Sequence, residues 1–145
     1  GIDARIRVVD SAQYQRRIKS FDFDITTTRY VLPLTPGLEM INYWSSTTAQ
    51  TDGSLNLAGI ANPAIDSLVD KALAAQSREE LTNITRAIDR ILRATHYWVP
   101  HWYKAAHHVA FWDKFSWPET KPKYDRGIIR TWWYDKEKAA KLNKR

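Results

Sequence analysis

The chain has 145 residues, of which 43% are hydrophobic and 26% charged, and its formal net charge is +6. This composition is typical of a globular protein with a buried core and excludes an intrinsically disordered one. Because the sequence contains no cysteine, disulfides, thiolate metal sites and cysteine nucleophiles are excluded as well.

A strand, a short helix and a second strand are predicted in the first 28 residues. Residues 4–9, ARIRVV, alternate and are rich in β-branched side chains, which is typical of a strand. Ser11 is a suitable N-cap for a short helix, and residues 23–28, FDITTT, form the second predicted strand. So brief a connection indicates a βαβ unit with parallel strands and a right-handed crossover. Ligands bind beyond the carboxyl ends of such strands, so we expect the binding segment just after residue 28.

A long connection and a helical hairpin follow. Residues 29–63 contain two prolines and a glycine in PLTPG and then a polar run, and a connection of this length tends to be functional. Asn62 is a good N-cap and Pro63 fits the first position of a helix. Ser77 and Glu80 have the spacing of a capping box that starts a second helix. Both helices carry an apolar stripe, so they are predicted to pack as a hairpin on the sheet.

The C-terminal part of the chain is aromatic and is predicted to be mostly extended. YWVPHWY (97–103) and HVAFW (108–112) are strand candidates, although Pro100 places the first at an edge or an irregular position. SWPETKPKY (116–124) is an extended linker, TWWYD (131–135) is a last aromatic segment, and residues 135–142 are predicted to form a terminal helix.

No catalytic constellation stands out. Three histidines and an aspartate lie near one another, at His101, His107, His108 and Asp113. A metal site is one interpretation, but neighbouring residues of a strand point to opposite faces, so ordinary histidines are favoured. Asp22 and Asp24 could form an acid–base pair, but they more simply flank the start of a strand. We therefore predict neither an enzyme nor a cofactor.

The positive charge leaves a second hypothesis open, a free-standing basic module that binds nucleic acid or an anionic surface. The basic residues are interspersed with acids except near the C-terminal end, which favours an ordinary solvated surface. We therefore predict no nucleic-acid partner. A purely structural interaction domain is a third hypothesis.

Several motifs together resemble one known family. FDFDI at 21–25, the proline-broken loop, and NLAGIANPAIDSLVDKAL at 56–73 are similar to the C-terminal part of periplasmic peptide-binding proteins. These are the solute receptors (solute-binding protein family 5) of oligopeptide and dipeptide ABC transporters. The tail at 111–142, FWDKFSWPETKPKYDRGIIRTWWYDKEKAAKL, is similar to the Yej-type branch. The resemblance covers nearly the whole chain.

The resemblance implies an α/β fold, namely the C-terminal part of a two-lobed type II periplasmic-binding-protein fold. Residues 1–105 would then form most of the C-terminal lobe, and residues 106–145 would cross back to the first lobe. We expect the chain to be a fragment of such a receptor or one of several chains of an assembly. The implied partners are a peptide ligand, the missing first lobe and the membrane permease of an ABC transporter, and the implied location is the periplasm.

The resemblance also implies where a peptide is bound. The segment after the second predicted strand would hydrogen-bond the peptide through its backbone, in the manner of an added strand. Its residues are Thr27, Thr28, Arg29, Tyr30 and Val31. Trp102, Tyr103 and Lys104 lie near the proposed crossing between lobes, where they could line the cleft or pack the hinge.

One position departs from the family pattern. Oligopeptide receptors of the family carry an aspartate three residues after the aromatic residue, where it pairs with the peptide amino terminus, and here Pro33 follows Tyr30 at that spacing. Glu39 or a residue outside the chain could substitute. Arg29 could engage a ligand carboxylate, or it could form a surface salt bridge. These features suggest acidic peptides, including murein-derived ones, as ligands.

Overall fold

The computed structural model describes residues 1–128 and 130–142. These residues form α1 (Ser11–Lys19), α2 (Glu39–Trp44), a 3₁₀ turn (Ser46–Thr48), α3 (Pro63–Ala74), α4 (Arg78–Ala94), β1 (Phe115–Ser116), β2 (Trp133–Tyr134) and α5 (Lys136–Leu142). The chain divides into two compact units. The first contains Gly1–Leu32 and Pro36–Val99, and the second contains Pro33–Thr35 and Pro100–Arg145. Among the described helices, none has the length and apolar character needed to cross a membrane.

The predicted pairing of two helices is confirmed in the first unit, but the described residues of this unit contain no sheet for the pair to pack on. Helices α3 and α4 pack against each other, and α2 packs against α3. Apolar residues at helical spacing supply the buried core of this unit, together with one residue of the loop before α3. The core consists of Met40, Ile60, Ile65, Val69, Ala72, Ile88 and Leu92. Most of the stability of these helices comes from this packed face.

The starts of both hairpin helices follow from local chemistry. Asn62 Oδ1 accepts a hydrogen bond from the Ala64 N–H at 2.9 Å, and Pro63 is the first helical residue, as predicted. The Ser77 side chain accepts from the Glu80 N–H at 3.1 Å. The Glu80 carboxylate accepts from the Gln76 N–H at 2.9 Å and not from the Ser77 N–H of a standard capping box. The cap is therefore present, with its second bond displaced by one residue.

The prediction of a βαβ unit at the start of the chain is wrong for this structure. Helix α1 forms, but Asp10 is its N-cap, with its side chain accepting from the Gln13 N–H at 2.9 Å, and Ser11 is already helical. Residues 4–9 and 23–28 lie in no strand. A strand is stable only when a neighbour pairs with it, and no partner strand is present in the described part of this unit. The α/β class holds only in its coarse sense, as helices with one small sheet.

The second unit contains that sheet. Strands β1 and β2 are antiparallel, with Phe115 opposite Tyr134 and Ser116 opposite Trp133. Strand β2 lies within the predicted aromatic segment 131–135, and α5 confirms the predicted terminal helix. The strands predicted at 97–103 and 108–112 are absent from the described structure, because neither segment has a strand to pair with.

Helix α5 is tied to strand β1 by polar contacts. Asp135 Oδ1 accepts from the backbone N–H groups of Glu137 and Lys138, and its Oδ2 accepts from the Ser116 hydroxyl at 2.7 Å. These bonds lower the pKa of Asp135, the contact with the Lys138 N–H most of all. Lys138 Nζ donates to the Phe115 carbonyl at 3.1 Å and lies 5.1 Å from the centre of the Trp117 ring.

Candidate functional site

The predicted peptide-contacting segment, residues 27–31, follows α1 in the first unit and belongs to no helix or strand. Thr27, Thr28, Arg29 and Val31 are exposed, and Tyr30 is half-buried. Within the described structure this segment makes no backbone–backbone hydrogen bond. The Tyr14 hydroxyl donates to the Thr27 carbonyl at 3.4 Å. The segment therefore offers backbone donors and acceptors with which an extended ligand could pair.

Tyr30 anchors this segment to the helices. Its ring contacts Tyr43 of α2 edge-on, with ring centres 5.2 Å apart, and lies 5.3 Å from the ring of Trp98 just after α4. Tyr43 in turn contacts Trp44, and Trp98 contacts Tyr97. We call these five residues the aromatic cluster. Trp44, Tyr97 and Trp98 also pack against the buried core, so the cluster connects the exposed segment to the hairpin.

The surroundings of Tyr30 disfavour ionisation of its hydroxyl. Burial raises the pKa of Tyr30 above its ordinary value of 10.0, and the neighbouring Tyr43 raises it further. A protonated phenol is a hydrogen-bond donor as well as an acceptor. Tyr30 can therefore donate to a ligand oxygen while its ring stays in the aromatic cluster.

Arg29 directly precedes Tyr30 in the same segment. The side chain is exposed, and it forms no ion pair with any described residue. Both interpretations of Arg29, a contact to a ligand carboxylate and a surface salt bridge, stay predictions. Glu39, considered as a substitute for the missing aspartate, accepts from the Gly37 N–H at 2.8 Å and so braces the turn before α2.

The other predicted contact residues belong to the second unit. Trp102 and Tyr103 are each 87% exposed, and Lys104 is exposed as well. Their two possible roles, lining a cleft or packing a hinge, stay predictions.

A buried asparagine organises the loop before α3. Asn56 is fully buried, and its Nδ2 donates to the carbonyls of Ser45 and Ile60 at 3.1 and 2.9 Å. Its Oδ1 accepts from the Ile60 N–H at 2.8 Å. Gly59, with a φ of 61°, makes the turn between them. Asn56 therefore closes a turn.

A second polar contact holds the 3₁₀ turn (Ser46–Thr48) to α3. Asp66 accepts from the Ser46 N–H at 2.8 Å and from the Ser46 hydroxyl at 2.5 Å. Burial alone raises the pKa of Asp66, but the hydrogen bonds from Ser46 and Ser45 outweigh it, and the net pKa is lowered. The sequence offered no signal for this pair, because the two residues meet only after the loop has folded.

The metal and acid–base alternatives gain no support from the described residues. No group of three or more histidine or acidic side chains in this part of the chain could hold a metal ion. Asp22 forms an ion pair with Arg17 of α1, with the closest atoms 2.7 Å apart. That pairing gives Asp22 an ordinary structural role next to the helix end.

Comparison with known proteins identifies the relatives of the chain. No family model matches it. The "Probable peptide-binding protein YejA" of Agrobacterium fabrum (strain C58 / ATCC 33970) is 43% identical over 136 residues, covering 94% of this chain and 22% of that protein. The "Uncharacterized protein YejA" of Escherichia coli (strain K12) is 41% identical over 143 residues, covering 98% and 23%. The "Peptidoglycan-binding protein YepA" of Agrobacterium fabrum is 40% identical over 133 residues, covering 92% and 22%.

The names of these relatives indicate the class of protein to which they belong. Relatives named as binding proteins, and not as enzymes, match more than nine tenths of this chain. The resemblance to Yej-type peptide-binding proteins is therefore confirmed, and the chain is homologous to a segment of them. It spans only 22% to 23% of the length of these relatives.

Proposed function

We propose that the chain is the C-terminal part of an extracytoplasmic solute receptor that captures peptides and delivers them to an ABC importer. The observation that carries the proposal is the 43% identity to a relative named as a peptide-binding protein, over 94% of this chain. The relatives named YejA and YepA match the same large share of the chain. In this proposal the receptor lies in the periplasm, and its partners are the first lobe and the transporter permease.

The proposed mechanism is closure of two lobes around an extended peptide. Contacts of the peptide with both lobes shift the receptor from its open to its closed population. Residues 27–31 contribute backbone hydrogen bonds, for which their groups are free of backbone partners within the described structure. The aromatic cluster holds Tyr30 in place, so less conformational entropy is lost when the peptide binds.

The proposed ligands are acidic peptides, including murein-derived ones. Pro33 leaves no carboxylate at the position that would pair with a free peptide amino terminus. Arg29 is exposed and unpaired with any described acid, and its guanidinium can bind a carboxylate bidentately. A relative that is 40% identical is named as a peptidoglycan-binding protein, which agrees with this ligand class.

The test is calorimetry on the full-length receptor with matched acidic and neutral peptides. Arg29→Ala should weaken binding of the acidic peptide by ~1.5–3 kcal/mol through the lost charge-assisted hydrogen bond, and leave the neutral peptide nearly unchanged. Arg86→Ala is the matched control, because Arg86 is an exposed arginine of α4. An equal loss of binding free energy for both peptides would mean that Arg29 supports the loop and does not recognise a charge on the ligand.

A further inference from the structure

The Tyr14 side chain of α1 contacts the start of the predicted peptide-contacting segment, residues 27–31. Its hydroxyl donates to the Thr27 carbonyl at 3.4 Å and lies 3.4 Å from Oγ1 of the half-buried Thr26. A phenol has only one proton to donate, so the Thr26 hydroxyl is the donor in the second contact. Tyr14 and the two threonines therefore form one small hydrogen-bond network that joins α1 to this segment.

The turn after α1 brings the chain back toward the helix. Phe21 has a φ of 55°, a left-handed conformation that is strained for a bulky side chain and that is usually left to glycine at the end of a helix. The Phe21 N–H donates to the Ile18 carbonyl at 3.3 Å, and the Asp22 N–H donates to the Arg17 carbonyl at 2.9 Å. The Asp22 carboxylate also forms an ion pair with Arg17, with the closest atoms 2.7 Å apart. These contacts hold the returning chain against the last turns of α1.

Helix α1 is itself attached to the loop that precedes α3. The Lys19 carbonyl accepts a hydrogen bond from the Gly53 N–H at 2.8 Å. Gly53 has a φ of 77°, which glycine adopts at little cost and other residues do not. Since α1 contains no buried residue, it adds nothing to the core of the unit. Its polar contacts instead link the loop at one side to the peptide-contacting segment at the other.

The later part of the peptide-contacting segment is held by a different contact. The Tyr30 ring packs against Tyr43 and Trp98 in the aromatic cluster. Between this contact and the one at Thr27 lie Thr28 and Arg29, which are exposed and have no hydrogen-bond or ion-pair partner among the described residues. The segment is therefore fixed on both sides of two residues whose polar groups are available to a ligand.

We propose that Tyr14 is a positioning residue for peptide binding, because its hydroxyl fixes the start of the segment that presents Thr28 and Arg29. A segment that is ordered before the peptide arrives loses less conformational entropy when the peptide binds. The aromatic cluster alone would leave the start of the segment free to move. The inference rests on the proposed function, because it assigns a supporting residue to the same binding segment.

The first test is calorimetry on the full-length receptor with the tetrapeptides Ala-Glu-Glu-Ala and Ala-Gln-Gln-Ala. Tyr14→Phe removes only the hydroxyl, and we expect it to raise the Kd of both peptides by the same factor, roughly two- to tenfold. The factor is the same because Tyr14 acts through the backbone of the segment and not through a charge. Unchanged Kd values, or a loss confined to one peptide, would overturn the proposal.

Tyr134→Phe is the matched control for this substitution. Tyr134 is an exposed tyrosine of β2, and its hydroxyl has no hydrogen-bond partner among the described residues. We expect its loss to leave both Kd values unchanged. Equal effects of the Tyr14 and Tyr134 substitutions would overturn the assignment to Tyr14.

The second test is methyl NMR relaxation of the threonine side chains in the full-length receptor without peptide. Tyr14→Phe should make the methyl groups of Thr26 and Thr27 more mobile and leave those of Thr82 and Thr85, which lie in α4, unchanged. Unchanged mobility at Thr26 and Thr27 would overturn the proposal. An equal change at the α4 threonines would also overturn it, in favour of a general role of Tyr14 in stability.

The two tests separate this inference from the proposed function. A receptor that binds both peptides as tightly after Tyr14→Phe as before rejects only the positioning role. A receptor that binds neither peptide, but in which Tyr14→Phe frees Thr26 and Thr27, rejects only the proposed function and confirms that Tyr14 orders the segment.

Discussion

Asn56→Ala should be among the most damaging polar substitutions in the chain. It removes three hydrogen bonds and leaves the N–H and C=O of Ile60, which is fully buried, without their partner, whereas the Ser45 carbonyl still accepts from Thr48. Each buried group left unpaired costs about 1–3 kcal/mol, although a carbonyl with two lone pairs tolerates the loss better than an N–H. We therefore expect a loss of ~2–5 kcal/mol in the free energy of opening of the first unit.

The assay is native-state hydrogen exchange of the α3 and α4 amides in the full-length receptor, where slow amides report the opening free energy of the core. Asn83→Ala is the control, because Asn83 is exposed on α4 and its loss should change stability by no more than about 0.5 kcal/mol. Asn62→Ala gives a second reference, the loss of one helix cap, of about 1 kcal/mol. If Asn56→Ala costs no more than Asn62→Ala, the loop does not depend on Asn56 in the way that the structure indicates.

Three further predictions concern the hairpin, the loop contact and the second unit. Ile88→Ala should lower the free energy of opening by ~2–5 kcal/mol, because the side chain is almost fully buried in the core. Ser77→Ala should lower it by only about 1 kcal/mol through the lost helix cap. Equal losses in the same exchange assay would show that the start of α4 is misassigned. The hydrogen bonds that lower the pKa of Asp66 stabilise the fold when the pH is above the unfolded pKa of ~3.9. This stabilisation is lost as the pH falls through the lower pKa of the folded state. Acid unfolding should therefore show a stability gap between wild type and Asp66→Asn that narrows below about pH 4, and a gap independent of pH would contradict this origin. The isolated chain should bind a hydrophobic dye and aggregate, because Trp112 and Trp133 are exposed. A sharp, reversible unfolding transition of the isolated monomer would contradict the idea that these side chains are covered by parts of the receptor outside this chain.

The helical hairpin was predictable because its determinants are local. The apolar spacing of α3 and α4 marks their buried faces, and Asn62–Pro63 fixes where α3 begins through side-chain and backbone preferences of adjacent residues. Even the displaced bond of Glu80 is a small variation on the predicted cap.

The strands were not predictable in the same way because a strand depends on a neighbour. Residues 4–9 and 23–28 have the composition and alternation of strands, but pairing is a long-range property that local sequence cannot supply. Two residues of TWWYD do form β2, because residues 115–116 provide a partner.

The candidate site was predictable only in position. The resemblance indicated residues 27–31, yet the contacts of Tyr30 with Tyr43 and Trp98 join parts of the chain that are far apart in sequence. The burial of Asn56 and the bonds between Ser46 and Asp66 likewise exist only in the folded loop.

Calorimetry of the full-length receptor at low and high salt shows whether this chain is part of a peptide receptor. The titrants are a short acidic peptide and a single-stranded oligonucleotide. We expect saturable one-to-one binding of the peptide that weakens only modestly as salt rises, because backbone hydrogen bonds carry most of the contact. Binding of the oligonucleotide with an affinity that falls steeply with salt, and no heat of binding with the peptide, would contradict the account in favour of a basic nucleic-acid-binding module.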